Sequence, residues 1–150
     1  MIRIDIPATS ANLGSGFDSL GIALTMCNRV WMEEADELKI TTTDKIKVPT
    51  DETNLIYWAA RHLYQICGKT LPGLHIIQEN NIPMARGLGS SSACIVAGIL
   101  GANRMLGSPM SQSDLINLAA QIEGHPDNTS PAISGGLVDS TYKRYTLKAE

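Results

Sequence analysis

The segment that most constrains this chain is Ile82-Pro83-Met84-Ala85-Arg86-Gly87-Leu88-Gly89-Ser90-Ser91-Ser92-Ala93. It follows a short strand-like stretch, 73–80 (GLHIIQEN), and runs straight into the helical pattern of Ser90 to Leu106. The first turn of a helix has N–H groups without intrahelical partners and a partial positive charge. Glycines just ahead of that turn let the backbone approach an anion closely, and serine hydroxyls add donors. The segment therefore reads as a phosphate cradle, the bland alternative being a capped helix start whose small residues serve packing.

Other phosphate motifs fail on inspection. Gly68-Lys69-Thr70 ends like a Walker A loop, but position 63 is Leu instead of Gly. Gly14-x-Gly16 and Gly87-x-Gly89 do not complete a GxGxxG pattern, because Ser19 and Ser92 hold the third place. The 150 residues carry a net charge of −3, so no electrostatic footprint for nucleic acid or an anionic membrane exists. A polyphosphate site here has to rest on backbone amides and a metal ion, not on a basic patch.

Periodicity fills in the surroundings. Ile2, Ile4 and Ile6 alternate with Arg3 and Asp5, a half-buried strand ending at Pro7. Residues 20–34 read as one long strand or two joined by a bend, 37–43 as a paired strand, and 44–53 as a loop. Leu55, Ala59, Leu63 and Ile66 form one helical stripe over 54–67, closed by Gly68. In the helix from Ser90, Ile95, Ile99 and Leu106 share a side, while Ala93, Ala97, Gly101 and Ala102 allow close packing. Ser111 with Asp114 resembles a capping box and opens a helix carrying Leu115, Leu118, Ala119 and Ile122. Residues 136–147 suit a final strand pair. Strands first and helices later imply an α+β fold, with the helices on one face of the sheet. Cys27, Cys67 and Cys94 are odd in number and widely spaced. They read as small buried hydrophobes in a reducing, cytoplasmic protein.

Two more loops concentrate polar groups. Pro7-Ala8-Thr9-Ser10-Ala11-Asn12-Leu13-Gly14-Ser15-Gly16-Phe17-Asp18 sets an amide and a carboxylate where a small polar substrate could bind, Asp18 facing an ammonium group. Glu123-Gly124-His125-Pro126-Asp127-Asn128 crowds two carboxylates, an imidazole and an amide at a helix end. A Mg²⁺ ion needs one or two protein carboxylates plus phosphate oxygens and water, and Glu123 is the choice for that ligand. Asx-turn loops and a solvated helix-end carboxylate are the bland alternatives.

Taken together, the three segments resemble the motifs of the GHMP small-molecule kinases. Pro83 through Ala93 resembles the superfamily's Gly-Leu-Gly-Ser-Ser loop. Pro7 through Asp18 is similar to the opening signature of its homoserine kinase branch, and Glu123 through Asn128, with Pro131-Ala132 and Gly135-Gly136, resembles that branch's third region. Ser15 stands where the branch often has Pro. The resemblance implies a fold of the ribosomal protein S5 domain 2 type, helices packed on a mixed sheet, with a left-handed βαβ unit. It implies ATP-dependent phosphorylation of L-homoserine to O-phospho-L-homoserine in threonine biosynthesis, with Mg²⁺.

The same resemblance assigns roles. Gly87, Gly89 and Ser90 hold the nucleotide phosphates, Pro83, Arg86, Leu88, Ser91 and Ser92 belong to the same ATP-binding segment, and Asn54 reaches the adenine. Ser91 and Glu123 hold Mg²⁺. Asn12, Asp18 and His125 bind homoserine, with Asp127 and Asn128 at the point of transfer. It further implies that residues 1–150 form the N-terminal ATP-binding domain, that a C-terminal domain is absent from this chain, and that the chain alone has little kinase activity. An exposed sheet edge offers a route to a homodimer. A kinase for another small alcohol and a non-catalytic nucleotide-binding module stay open as alternatives. The cradle reading requires Glu123 to stand beside the start of the Ser90–Leu106 helix.

Overall fold

The computed structural model describes residues 1–7, 27–82, 90–123, 133 and 137–139. Five strands form one mixed sheet: β1 (Ile2–Pro7), β2 (Cys27–Glu34), β3 (Lys39–Thr42), β4 (Leu74–Glu79) and β5 (Leu137–Asp139). Their spatial order is β3-β4-β2-β1-β5. All neighbouring pairs are antiparallel except β3 and β4, which run parallel. The parallel pair needs a crossover, and α1 (Leu55–Ile66) supplies it.

Register turns the period-2 pattern into a core. Ile40 lies opposite Ile76, Ile76 opposite Met32, and Met32 opposite Ile2. The next inward row joins Gln78, Val30 and Ile4, and Val138 is the register partner of Ile4. Ile4, Ile6, Met32 and Ile76 are fully withdrawn from solvent. They pack with Ile56 and Leu63 of α1 and with Val96 and Ile99 of α2 (Ser90–Met105), in one cluster on one side of the sheet. The α+β expectation holds. The opposite side carries charge: Arg3 forks onto Asp5 at 2.9 and 2.8 Å, and Arg29 meets Glu79 at 2.6 Å.

The two long helices meet where side chains are smallest. Ala93, Ala97, Gly101 and Ala102 of α2 are all buried, as their size suggested. Gly98 touches α1 so closely that an added Cβ would stand 2.4 Å from the Ile56 carbonyl oxygen. This contact also sets the face of α1. Ile56, Ala59, Ala60, Leu63 and Tyr64 are buried, whereas Leu55 and Ile66 are exposed. The expected stripe through Leu55 and Ile66 is thus rotated, because α1 presents Ile56, Ala59 and Ala60 to Gly98. Gly68, at φ 72°, ends α1 as expected. Lys69 N–H donates to Tyr64 O and Gly68 N–H to Gln65 O, a Schellman pair. The Gly-Lys-Thr resemblance to a Walker loop therefore falls at a helix end, the wrong terminus for an anion.

The end of α2 repeats that device at Gly107, φ 87°, and α3 (Gln112–Glu123) follows after a short turn. Buried Asn103 clamps the turn from both sides: its Oδ1 accepts from Met110 N–H at 3.0 Å and its Nδ2 donates to Met110 O at 3.1 Å. The capping box at α3 is present, Asp114 N–H donating to Ser111 Oγ at 3.2 Å and Ser111 N–H to Asp114 Oδ2 at 3.3 Å. The three cysteines are free thiols and only partly buried, less so than expected. Among the described residues, no helix is long and apolar enough to cross a membrane.

Candidate nucleotide site at the start of α2

The first turn of α2 carries no acidic residue of its own. Its unpaired N–H groups and partial positive charge are thus uncompensated within the helix. The α2–α3 turn, fixed by Gly107 and Asn103, sends α3 back so that its last residue reaches that turn. Ser92 Oγ donates to Glu123 Oε1 at 2.7 Å. Glu123 therefore stands beside the start of α2, as the cradle reading requires. A carboxylate at the C-terminus of its own helix is disfavoured by about 0.3–1 kcal/mol. The α2 N-terminus offsets that cost from the other side.

The serines divide their labour. Successive helical residues are rotated by about 100°, so three in a row cannot face one ligand. Ser91 is exposed, and Ser92 is 2% exposed with its hydroxyl turned to Glu123. The single proton of the Ser92 hydroxyl is thereby used within the protein. Ser90 is the first residue of the helix. Ser91 and Glu123 fit a Mg²⁺ ion in donor chemistry, as one hydroxyl and one carboxylate, the rest of the shell being left to phosphate and water. Asn12, Asp18, Pro83, Arg86, Gly87, Leu88, Gly89, His125, Asp127 and Asn128 lie outside the described residues.

Asn54 has a structural task that the sequence did not announce. Its side chain caps α1, with Oδ1 accepting from Ile56 N–H at 2.9 Å and Tyr57 N–H at 3.4 Å. Nδ2 donates to Pro49 O at 2.8 Å and to Gln78 Oε1 at 2.9 Å. Both lone-pair positions and both hydrogens are used, and the residue is 3% exposed. In this structure the Asn54 side chain serves as the α1 cap. Gln78, on an inward position of β4, was legible only as strand. Its amide ties Asn54 to Asn80, whose N–H donates to Asp44 Oδ2 at 2.7 Å.

The family of GHMP kinases N terminal domains matches residues 54–136, more than half of the chain. The chain belongs to the GHMP kinase family. Within it, the chain is 48% identical to the homoserine kinase of Trichodesmium erythraeum, covering 97% of this chain and 50% of that protein. It is also 48% identical to the homoserine kinase of Petrotoga mobilis, over 91% of this chain and 46% of that one. A crystal structure of homoserine kinase from Cytophaga hutchinsonii superposes with a TM-score of 0.71 at 27% identity, covering 94% of this chain and 49% of that one. The chain spans about half the length of the curated relatives it matches.

Proposed function

We propose that this chain is the ATP-binding portion of a homoserine kinase, which moves the γ-phosphate of ATP onto the side-chain hydroxyl of L-homoserine. The observation that carries this reading is the meeting of Glu123 with the first turn of α2, in a chain whose homoserine kinase relatives are 48% identical across nearly its whole length. In this reading residues 1–150 form the N-terminal domain, acting in the cytoplasm.

Phosphoryl transfer needs positioning and charge neutralisation more than covalent chemistry by the protein. The N–H groups at the start of α2, with Gly87, Gly89 and Ser90, hold the β- and γ-phosphates. Arg86, Pro83 and Leu88 shape the loop that leads into them. Mg²⁺, when bound by Ser91 and Glu123, offsets phosphate charge. Asn12, Asp18 and His125 orient homoserine, Asp18 through the substrate ammonium group. Asp127, beside Asn128, receives the hydroxyl proton as the oxygen bonds to phosphorus and ADP leaves.

The test has two arms. Calorimetric titration of the chain with Mg·ATP is expected to show saturable binding. The chain joined to the second half of the Trichodesmium erythraeum homoserine kinase is then assayed by ADP release on L-homoserine, mevalonate and shikimate. Preference for L-homoserine supports the proposal, and preference for another alcohol overturns the substrate assignment. Binding without turnover on any of the three favours a non-catalytic nucleotide-binding module, a reading kept because the chain spans half of its relatives.

A further inference from the structure

We infer that Ser92 is a positioning residue that fixes the Glu123 carboxylate for a divalent cation carried in with the nucleotide. The inference rests on the proposed metal role of Glu123 and adds a device to it. A glutamate has three side-chain torsions, and at the end of a helix nothing in its own backbone selects among them. Here the Ser92 hydroxyl, itself 2% exposed, donates to Oε1 at 2.7 Å. That is the short range expected when a hydroxyl meets a charged carboxylate. With Oε1 engaged, the side chain is restrained and Oε2 is the oxygen with both lone pairs open to a cation.

The division between neighbours follows from helical geometry. Ser91 is exposed and supplies a hydroxyl on the outer side of the turn, while Ser92 points inward to α3. No acidic residue of α2 itself occupies the first turn, and among the described residues the carboxylate there comes from α3. Among the described residues no cluster of three or more metal-binding side chains occurs. Among the described residues Glu123 is thus the carboxylate seen at this place, and its orientation matters. Partners that orient a metal ligand typically contribute about 10–100-fold to metal affinity.

The test compares ATP affinity of the 150-residue chain with Mg²⁺ and in EDTA, by calorimetry, for the parent, Ser92→Ala, Ser92→Thr and Glu123→Gln. The parent is expected to bind ATP more tightly with Mg²⁺. Ser92→Ala should lose about tenfold of that metal-dependent gain and keep its affinity in EDTA. Ser92→Thr, which retains the hydroxyl, should restore part of the gain, and Glu123→Gln should abolish it. If Glu123→Gln abolishes the gain and Ser92→Ala leaves it within twofold, the positioning role is wrong and the metal role of Glu123 stands. If Ser92→Ala weakens ATP equally with and without Mg²⁺, Ser92 merely supports the helix and the inference is also wrong. A parent chain indifferent to Mg²⁺ overturns the metal site itself.

Discussion

Gly98 gives the sharpest quantitative expectation, because the atoms it meets cannot step aside. A Cβ at this position would stand 2.4 Å from Ile56 O, 2.9 Å from Ala59 Cβ and 3.1 Å from Ala60 N. Two of the three are α1 backbone atoms, so relief requires α1 as a whole to retreat by about 1 Å to reach ordinary contact. A gap of that size forfeits roughly a quarter to a half of each dispersion well across the interface. If about 40 carbon pairs of about 0.15 kcal/mol each bridge the buried faces, the loss is about 1.5–3 kcal/mol. The better helix propensity of alanine returns about 1 kcal/mol. Gly98→Ala should therefore destabilise the chain by about 0.5–2 kcal/mol, seen as a drop of roughly 1–8 °C in Tm for a protein of this size. Gly101→Ala is the control. Its Cβ would come to 2.1 Å from Met32 Sδ and 2.8 Å from Ile4 Cδ1, the far ends of side chains. A methionine can repack around three torsions, so this variant should lose less. Urea denaturation followed by circular dichroism measures both. A Gly98→Ala chain as stable as the parent, or more stable than Gly101→Ala, would refute the packing argument.

Two further outcomes are expected. Asn54→Ala removes the α1 cap and leaves Pro49 O and Gln78 without a donor, so urea melts should show a loss of roughly 2–3 kcal/mol; a loss below about 0.5 kcal/mol would mean that the cap is dispensable. Cys94 keeps some accessible surface, but protein atoms crowd it on most sides, and this desolvation pushes the thiol from its ordinary 9.0 up to about 11. Above pH 9 the unfolded chain releases this proton while the folded chain keeps it, so stability should fall as pH rises from 9 to 11. The contribution is on the order of 2–3 kcal/mol, and Cys94→Ala should flatten the alkaline limb by that amount. Equal slopes for parent and variant would exclude the thiol.

The strand periodicity of β1, the caps at Gly68 and Ser111, and the small-residue face of α2 were all legible, because each depends on neighbours in sequence. The exposed ends of α1 were not. Both the Leu55–Ile66 stripe and the Ile56–Ala60 face contain Ala59 and Leu63, and only the contact with Gly98, far along the chain, chooses between them. The parallel pairing of β3 with β4 is equally non-local, since alternation in 37–43 says that a partner exists but not which one. At the site, the closeness of Glu123 to the α2 start was expected, while the partner of Ser92 was missed. The rotation between successive helical residues was the available signal: three consecutive serines at a helix start have to point three ways. The capping task of Asn54 was missed for a related reason. An asparagine at a helix start is as good a cap as a ligand contact, and only the positions of Pro49 and Gln78 decide.

The place of β4 in the sheet has a consequence for the order in which the chain can mature. β4 fills the slot between β2 and β3, although both are synthesised before it. While residues 74–79 are still in the ribosome, the β1–β2 pair has an open flank and β3 has no neighbour to join. The sheet can close only after α1 has emerged and carried β4 back into the gap, and β5 completes the far flank last. A nascent chain of this design passes through a stage with exposed strand backbone, during which association with other unfinished chains competes with the insertion of a single six-residue strand.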